Sequence, residues 1–243
     1  MSKESPKIHW LELKNVPIFE QLQLEEALLR TDNRNVCIIN KGSRRTIVMG
    51  LSGEPEKLLH LASVTKDQIP VVKRFSGGGT VIVDEETLFI SFLFNHNALD
   101  LAPFPEPLLR WSAELYQKSW KIPKFSLQAQ DYTIGEKKCG GNAQYLQKDR
   151  WLHHTSFLWD YQEENMDYLL IPPKRPAYRQ DREHKEFLCR LKEFASSPDA
   201  LVQGLKAELV KRFYIQELSL ENLVFPPHRQ ATHKLSFPSD AKP

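Results

Sequence analysis

Apolar and polar positions along this chain follow two rhythms. From Ile8 to Leu13 they alternate, the period of a half-buried strand. From Ile18 to Leu29 the residues Phe19, Leu22, Leu24, Ala27 and Leu28 recur at about 3.6 residues, which predicts an amphipathic helix. Short apolar runs at Val36 to Asn40 and Thr46 to Leu51 predict two buried strands paired with each other. Pro55 to Ala62 predicts a helix with proline in its first turn. Ile69 to Val72 predicts a short strand, and Thr80 to Val83 with Thr87 to Phe94 a second strand pair. Pro105 to Trp120 predicts a helix carrying Leu108, Leu109, Leu115 and Tyr116 on one side. Four antiparallel strands follow at Phe125 to Ala129, Asp131 to Ile134, Cys139 to Gln147 and Trp151 to Leu158, the last two joined by a turn at Lys148 and Asp149. Helices are expected at Glu164 to Leu169, Arg179 to Lys192 and Pro198 to Phe213. Rich in Pro, His and Lys, the stretch 226–243 reads as a frayed tail on a domain of residues 1–225. The sum is an α+β fold of mixed, mostly antiparallel sheets flanked by helices.

Composition narrows the partners. With 33 basic and 31 acidic residues the formal net charge is +2, which argues against a nucleic-acid or membrane-surface partner. Cys37, Cys139 and Cys189 are scattered with no C-x-x-C pair, which argues against a disulfide scaffold or zinc ribbon and for a reducing compartment. The polar start of the chain lacks a secretory h-region, and the expected location is cytoplasmic.

Three blocks carry candidate chemistry. The first runs from Lys73 to Asp84 and holds Gly77, Gly78 and Gly79 side by side after Arg74. It opens a strand rather than a helix, so it is neither a Walker A loop nor a dinucleotide fingerprint. It is either a tight turn or a loop whose bare backbone lets an anion approach. In the second block, Lys137 and Lys138 on a turn precede Gly140 and Gly141 on a strand. That places an ammonium beside accessible amides, which suits a carboxylate or phosphate; a solvated hairpin is the alternative. The third holds His153, His154 and Thr155 within an apolar strand, where neighbours face opposite sides, so one metal cannot readily take both histidines. The Tyr178, Arg179, Arg182 and His184 cluster reads as a docking feature or, more simply, a solvated helix face.

Together the blocks resemble the lipoate–protein ligase branch of the biotin/lipoate protein ligase superfamily. The likeness rests on Lys73 to Asp84, on Gln130, Asp131 and Tyr132 with Lys138, Gly140, Gly141 and Ala143, and on His153 to Leu158. It spans about residues 8 to 195 and implies the class II synthetase-like catalytic domain of those ligases. It implies that lipoate is activated with ATP and Mg²⁺ to lipoyl-AMP, then transferred to a lysine of a lipoyl carrier domain. Such carriers belong to 2-oxoacid dehydrogenase complexes or are the glycine cleavage H protein. Carried over residue by residue, Lys138 would be catalytic and Asp131 would help place Mg²⁺. Arg74, Ser76, Gly77, Gly78, Gly79, Val81, Ile82, Gly140, Gly141, Ala143, His153, His154 and Thr155 would line the lipoate and adenylate site. Phe75, Val72 and Phe157 could wall the acyl tunnel but read more simply as core.

Lys73, Val83 and Gln130 depart from the commonest family residues, and the length leaves no room for the family's C-terminal accessory domain. The resemblance therefore implies a single-domain ligase, a ligase needing a separate accessory subunit, or use of a preformed acyl donor. An octanoyl- or lipoyltransferase is the alternative, but it needs a nucleophilic cysteine. None stands near Pro172 and Pro173, Cys139 should face away from Lys138, and Cys189 reads as core. The biotin-ligase arginine-glycine loop is replaced here. A degenerate homologue that only binds lipoyl proteins is the remaining alternative.

Overall fold

The computed structural model describes residues 5–237. In chain order the elements are β1 (Lys7–Lys14), α1 (Ile18–Thr31), β2 (Val36–Lys41), β3 (Thr46–Met49), α2 (Pro55–Leu58), α3 (Leu61–Lys66), β4 (Val71–Lys73), β5 (Val81–Val83) and β6 (Thr87–Asn95). They continue with α4 (Pro105–Trp120), β7 (Phe125–Gln128), β8 (Asp131–Ile134), β9 (Lys137–Leu146), β10 (Arg150–Leu158), α5 (His184–Phe187), α6 (Pro198–Leu209), β11 (Tyr214–Glu217) and β12 (His233–Leu235). Among the described residues the strands form an eight-stranded sheet in the order β11-β1-β2-β6-β10-β9-β8-β7 and a four-stranded sheet in the order β12-β4-β3-β5. Parallel ladders between the named strands are those of β1 with its two neighbours and of β3 with β4, so the mixed, mainly antiparallel α+β expectation holds.

Alternation along the central strands sorts side chains to the two faces of the large sheet. Phe92, Phe94 and Trp151 join Trp111 and Tyr116 of α4 in one aromatic core, with Leu201 and Leu205 of α6 beside them. Leu93 and Leu152 point the other way, to Leu28 and Leu29 of α1 and to Phe75. Burial of this apolar area drives the layering.

Two expected pairings fail for one reason. β2 does not pair with β3, nor β5 with β6; instead β2 pairs with β6 in the large sheet and β3 with β5 in the small one. The two long hairpin arms bend together from one sheet into the other. At the bend Gly42 has φ +87°, and a Cβ there would lie 2.6 Å from the Glu85 carbonyl oxygen. Backbone bonds from Gly42 to Thr87 and from Ser43 to Asp84 hold the corner. Apolar patterning specifies strands but carries no signal for this change of sheet.

Other expectations are corrected. The Pro55–Ala62 helix is broken at Leu59, which is extended and bridges Leu169. Arg179 to Lys192 is not one helix: past α5 the chain is drawn extended onto β9, where the Cys189 N–H donates to the Lys138 carbonyl at 2.9 Å. The tail expected to fray from Pro226 is docked as far as it is described, through the β12–β4 ladder. The Ala231 and Thr232 N–H groups also donate to the Glu26 carboxylate at 2.9 and 3.0 Å. Residues 238–243 of the expected tail lie outside the described part.

Candidate functional site

A cavity of about 1430 Å³ opens beside the Gly loop and β5, over the faces of β9 and β10, and under the segment from Leu169 to Leu188. Of the expected site residues, Arg74, Gly78, Gly79, Val81, Ile82, Asp131, Lys138, Gly141, Ala143 and His154 line it. Val83 and Gln130, the departures noted in the sequence, line it too.

A bulge aims the lysine. Tyr132 pairs with Gly140 but Thr133 with Lys138, so Cys139 is an extra residue on β9. Strict alternation would put Lys138 and Gly141 on opposite faces; the bulge puts both on the cavity side. A Cβ on Gly141 would lie 3.2 Å from the Lys138 Nζ, whereas one on Gly140 would lie 2.5 Å from the Phe157 ring. Lys138 Nζ sits 2.7 Å from Asp131 Oδ1. The Tyr178 hydroxyl donates to the other oxygen, Asp131 Oδ2, at 2.8 Å. Burial and the Asp131 charge push the Tyr178 phenol up, so it stays protonated and keeps donating. Both Asp131 oxygens are thus in use, and among the described residues no three His, Cys, Asp or Glu side chains could hold a metal ion together. Asp131, expected to help place Mg²⁺, is in this structure the counter-ion of Lys138.

Arg74 is buried at 4% exposure and serves the loop rather than open space. Its guanidinium donates to the Gly77 carbonyl at 2.8 Å and the Gly79 carbonyl at 2.8 Å. Burial lowers it to about 10, with the Glu25 carboxylate opposing, so it remains charged at neutral pH. Gly78 has φ +100°, and a Cβ there would fall 2.7 Å from the Arg74 Nη2. Glycine is required at that position by backbone and by space. Gly77 and Gly79 have open space where a Cβ would stand, but only Gly79 lines the cavity, and the expected Gly77 does not. Gly50, not singled out in the sequence, backs the loop: a Cβ on it would strike the Gly78 carbonyl oxygen at 2.1 Å. β5 is an edge strand of the small sheet, so one side of its backbone is free of ladder bonds.

The two histidines part as strand geometry requires. His154 reaches the cavity while its Nδ1 lies 2.9 Å from Glu25 Oε1. Ser91 donates to the same carboxylate oxygen at 2.6 Å and Gln21 at 2.9 Å, so α1 fixes the imidazole from behind. Glu25, Gln21 and Ser91 were invisible as site residues, because each looks like an ordinary position of an amphipathic helix or strand. His153, expected at the site, lies in the opposite layer, between the Tyr132 hydroxyl at 2.8 Å and Gln144 at 2.9 Å. Burial, then the neighbouring His154, lowers it to about 3, and it is neutral. Thr155 shares that buried layer, as Gly140 shares the Phe157 side, while Ser76 is buried outside the cavity lining. None of these four belongs to the cavity. Phe75, Val72 and Phe157 are core.

The cluster at Tyr178, Arg179, Arg182 and His184, for which a docking feature or a solvated helix face was expected, belongs to a segment that walls the cavity through Leu170, Pro172 to Pro176, Arg179 and His184. Arg179 is 5% exposed, and Arg182 donates to the Tyr178 carbonyl at 2.6 Å and the Glu136 carbonyl at 3.0 Å, clamping the segment to the β8–β9 turn. His184 lines the cavity and is lowered to about 4 by burial, then by the positive charges of Arg179 and Lys138. The three cysteines are buried and none lines the cavity. Burial pushes the Cys37 and Cys139 thiols up, the wrong direction for a nucleophile.

Comparison with known proteins bears on the fold and the family. The family of the lipoyl protein ligase A/B catalytic domain matches residues 17–214. An inactive lipoate–protein ligase 2 of Plasmodium falciparum is 26% identical over 76% of this chain. The chain spans 63% of that relative's length. Two solved structures share the fold at 18% identity. A lipoate-protein ligase A bound with ATP has a TM-score of 0.71 over 90% of this chain and 91% of its own. The bipartite lipoate protein ligase of Thermoplasma acidophilum, studied with its E2 lipoyl domain, has 0.72 over 89% of each. No helix of the described residues is long and apolar enough to cross a membrane. The chain belongs to the lipoyl protein ligase A/B catalytic-domain family.

Proposed function

We propose that this protein is an ATP-dependent lipoate–protein ligase. It forms lipoyl-AMP and passes the lipoyl group to a lysine of a lipoyl carrier domain, in a 2-oxoacid dehydrogenase complex or the glycine cleavage H protein. The observation that carries this reading is the Lys138–Asp131 pair, held at 2.7 Å in the cavity that the Gly loop also lines.

The chemistry suits the residues. The fatty-acid carboxylate attacks the α-phosphorus of ATP, an oxygen–phosphorus bond forms, and pyrophosphate leaves. The carrier amine then attacks the acyl carbonyl, and AMP leaves with the electron pair. Negative charge builds on phosphoryl and carbonyl oxygens in both steps, where an ammonium lowers the barrier. Lys138 supplies it, aimed by the bulge and by Asp131. Ile18, Val48, Val83 and Phe89, which line the same cavity as His154, give the acyl chain an apolar wall. The free backbone side of β5 offers hydrogen bonds to a purine edge. Mg²⁺ would enter with the nucleotide phosphates, which needs few protein carboxylates.

The likeness to an inactive relative favours a second reading, a homologue that binds lipoyl proteins without ligating them. One experiment separates the two. Purified protein is mixed with an apo lipoyl domain, Mg²⁺ and lipoate, with and without ATP, and the carrier is read by intact mass. ATP-dependent gain of one lipoyl group, reduced at least about 100-fold by Lys138→Ala, is expected of the ligase. Transfer from synthetic lipoyl-AMP alone would place activation on a separate accessory subunit. Carrier binding with no transfer from either donor would establish the binder.

A further inference from the structure

Arg179 is a buried cation of the cavity wall that the chemistry above leaves unused, as it does the lining Lys174 and Arg175. It is 5% exposed, its Nε donates only to the Arg182 carbonyl at 3.3 Å, and its guanidinium carbon lies 4.7 Å from the Phe187 ring centre. Its Nη2 is buried without a hydrogen-bond partner among the described residues. Of the two carboxylates whose charge reaches it, Glu183 caps α5 and makes no ion pair with it among the described residues, and Asp131 spends one oxygen on Lys138 and the other on Tyr178. His184, also on this wall, is neutral at physiological pH and adds no negative charge. A buried guanidinium with an idle nitrogen is costly unless something anionic completes it. Its planar fork matches phosphate oxygens in pairs, which an ammonium cannot do. The Arg182 clamp and the Tyr178–Asp131 bond fix the segment, so the fork is held in place relative to Lys138.

We propose that Arg179 is a phosphate ligand, binding the end of the nucleotide that departs as pyrophosphate when the acyl adenylate forms. The inference deepens the ligase reading and rests on it. In that step the bond from the α-phosphorus to the bridging oxygen breaks, and its electron pair leaves on pyrophosphate. Lys138 then attends the α-phosphoryl and carboxyl oxygens, and Arg179 the leaving charge.

Calorimetric titration of the full chain with inorganic pyrophosphate, and separately with AMP, tests this in wild type, Arg179→Gln and Arg179→Lys. Thermal unfolding without ligand and lipoate binding serve as controls for a merely structural role. Pyrophosphate binding at least 10-fold weaker in Arg179→Gln, partly restored in Arg179→Lys, with unfolding temperature and lipoate affinity unchanged, supports the assignment. If Arg179→Gln does not fold, Arg179→Lys alone should still bind pyrophosphate several-fold more weakly, since it loses the fork. A loss confined to AMP would move the contact to the adenylate phosphoryl and overturn the leaving-group assignment. Equal pyrophosphate affinity in all three proteins, no binding to wild type, or a parallel loss of lipoate binding would overturn it as well. Pyrophosphate binding that depends on Arg179 in a protein that transfers no lipoyl group would count against the ligase reading alone.

Discussion

Gly140 and Gly141 are neighbours on one strand, yet alanine at each should do opposite things. A Cβ on Gly140 would stand 2.5 and 2.8 Å from two Phe157 ring carbons, against an ordinary carbon contact of about 3.5–4.0 Å. The ring would have to retreat about 1 Å. It cannot do so freely, being wedged between Trp120, Tyr116 and Tyr132 with ring centres 4.7, 4.9 and 5.2 Å away. Overpacking of this kind costs about 1–3 kcal/mol, while replacing glycine in a strand-compatible conformation returns about 0.4–1 kcal/mol through the unfolded chain. Gly140→Ala should therefore lose roughly 0.5–2 kcal/mol, a drop in melting temperature of about 1–8 °C for a chain of this size. On Gly141 the added methyl meets only the Lys138 side-chain end, at 3.2 and 3.3 Å, and that end can swing. Stability should stay within about 0.5 kcal/mol. The swing, however, pulls Nζ off its 2.7 Å contact with Asp131, and transfer to a lipoyl domain should fall about tenfold, or 1.4 kcal/mol in barrier. Thermal melts and the intact-mass transfer assay on both variants decide the matter. A stable, sluggish Gly140→Ala beside an unstable, active Gly141→Ala would refute the bulge and the aim it gives Lys138.

Two further predictions concern pH and the docked tail. His153 is held neutral with a folded value of about 3 against 6.5 when unfolded. The unfolded chain therefore binds the extra proton, and stability should fall as pH drops below 6.5 towards 3, by up to about 1.4 kcal/mol per pH unit. His153→Gln should flatten that slope in urea melts at pH 5 to 7, and an unchanged slope would contradict the buried neutral ring. Burial pushes the Glu26 carboxyl up, but Thr232, Ala231 and Arg30 outweigh it and hold it below its usual range. Its contribution is present above its unfolded value of 4.5 and lost as pH falls through the lower folded one. Protease nicking between residues 218 and 232 should accelerate in that acid window, and Glu26→Gln should be nicked readily even at pH 7.

How legible this was in the sequence depended on the range of the interaction. Strand period and turn residues gave β7 to β10 almost to the residue, because that meander is built from neighbours. The corner at Gly42 was missed, since two hairpin arms leaving one sheet for another look locally like uninterrupted pairs. In the site, Lys138 and the Gly loop were findable because their residue types are unusual for strands. Glu25 was not, since a glutamate on an amphipathic helix is expected in water and only the fold turns it towards His154. Arg179 failed for the converse reason: amid Lys174, Arg175 and Arg182 it looked like one more solvated charge, and only the clamp buries it.

The ladder between β12 and β4 bears on how the protein is made. β4 delivers the Gly loop, and its outer edge is covered by residues 233–235, which emerge from the ribosome long after it. Until they arrive, the strand that carries the Gly loop is the bare edge of a small apolar sheet, a template for pairing with another chain. The order of synthesis thus makes the Gly loop one of the last parts of the domain to be secured, and premature release after residue 225 should yield a chain that aggregates through that edge.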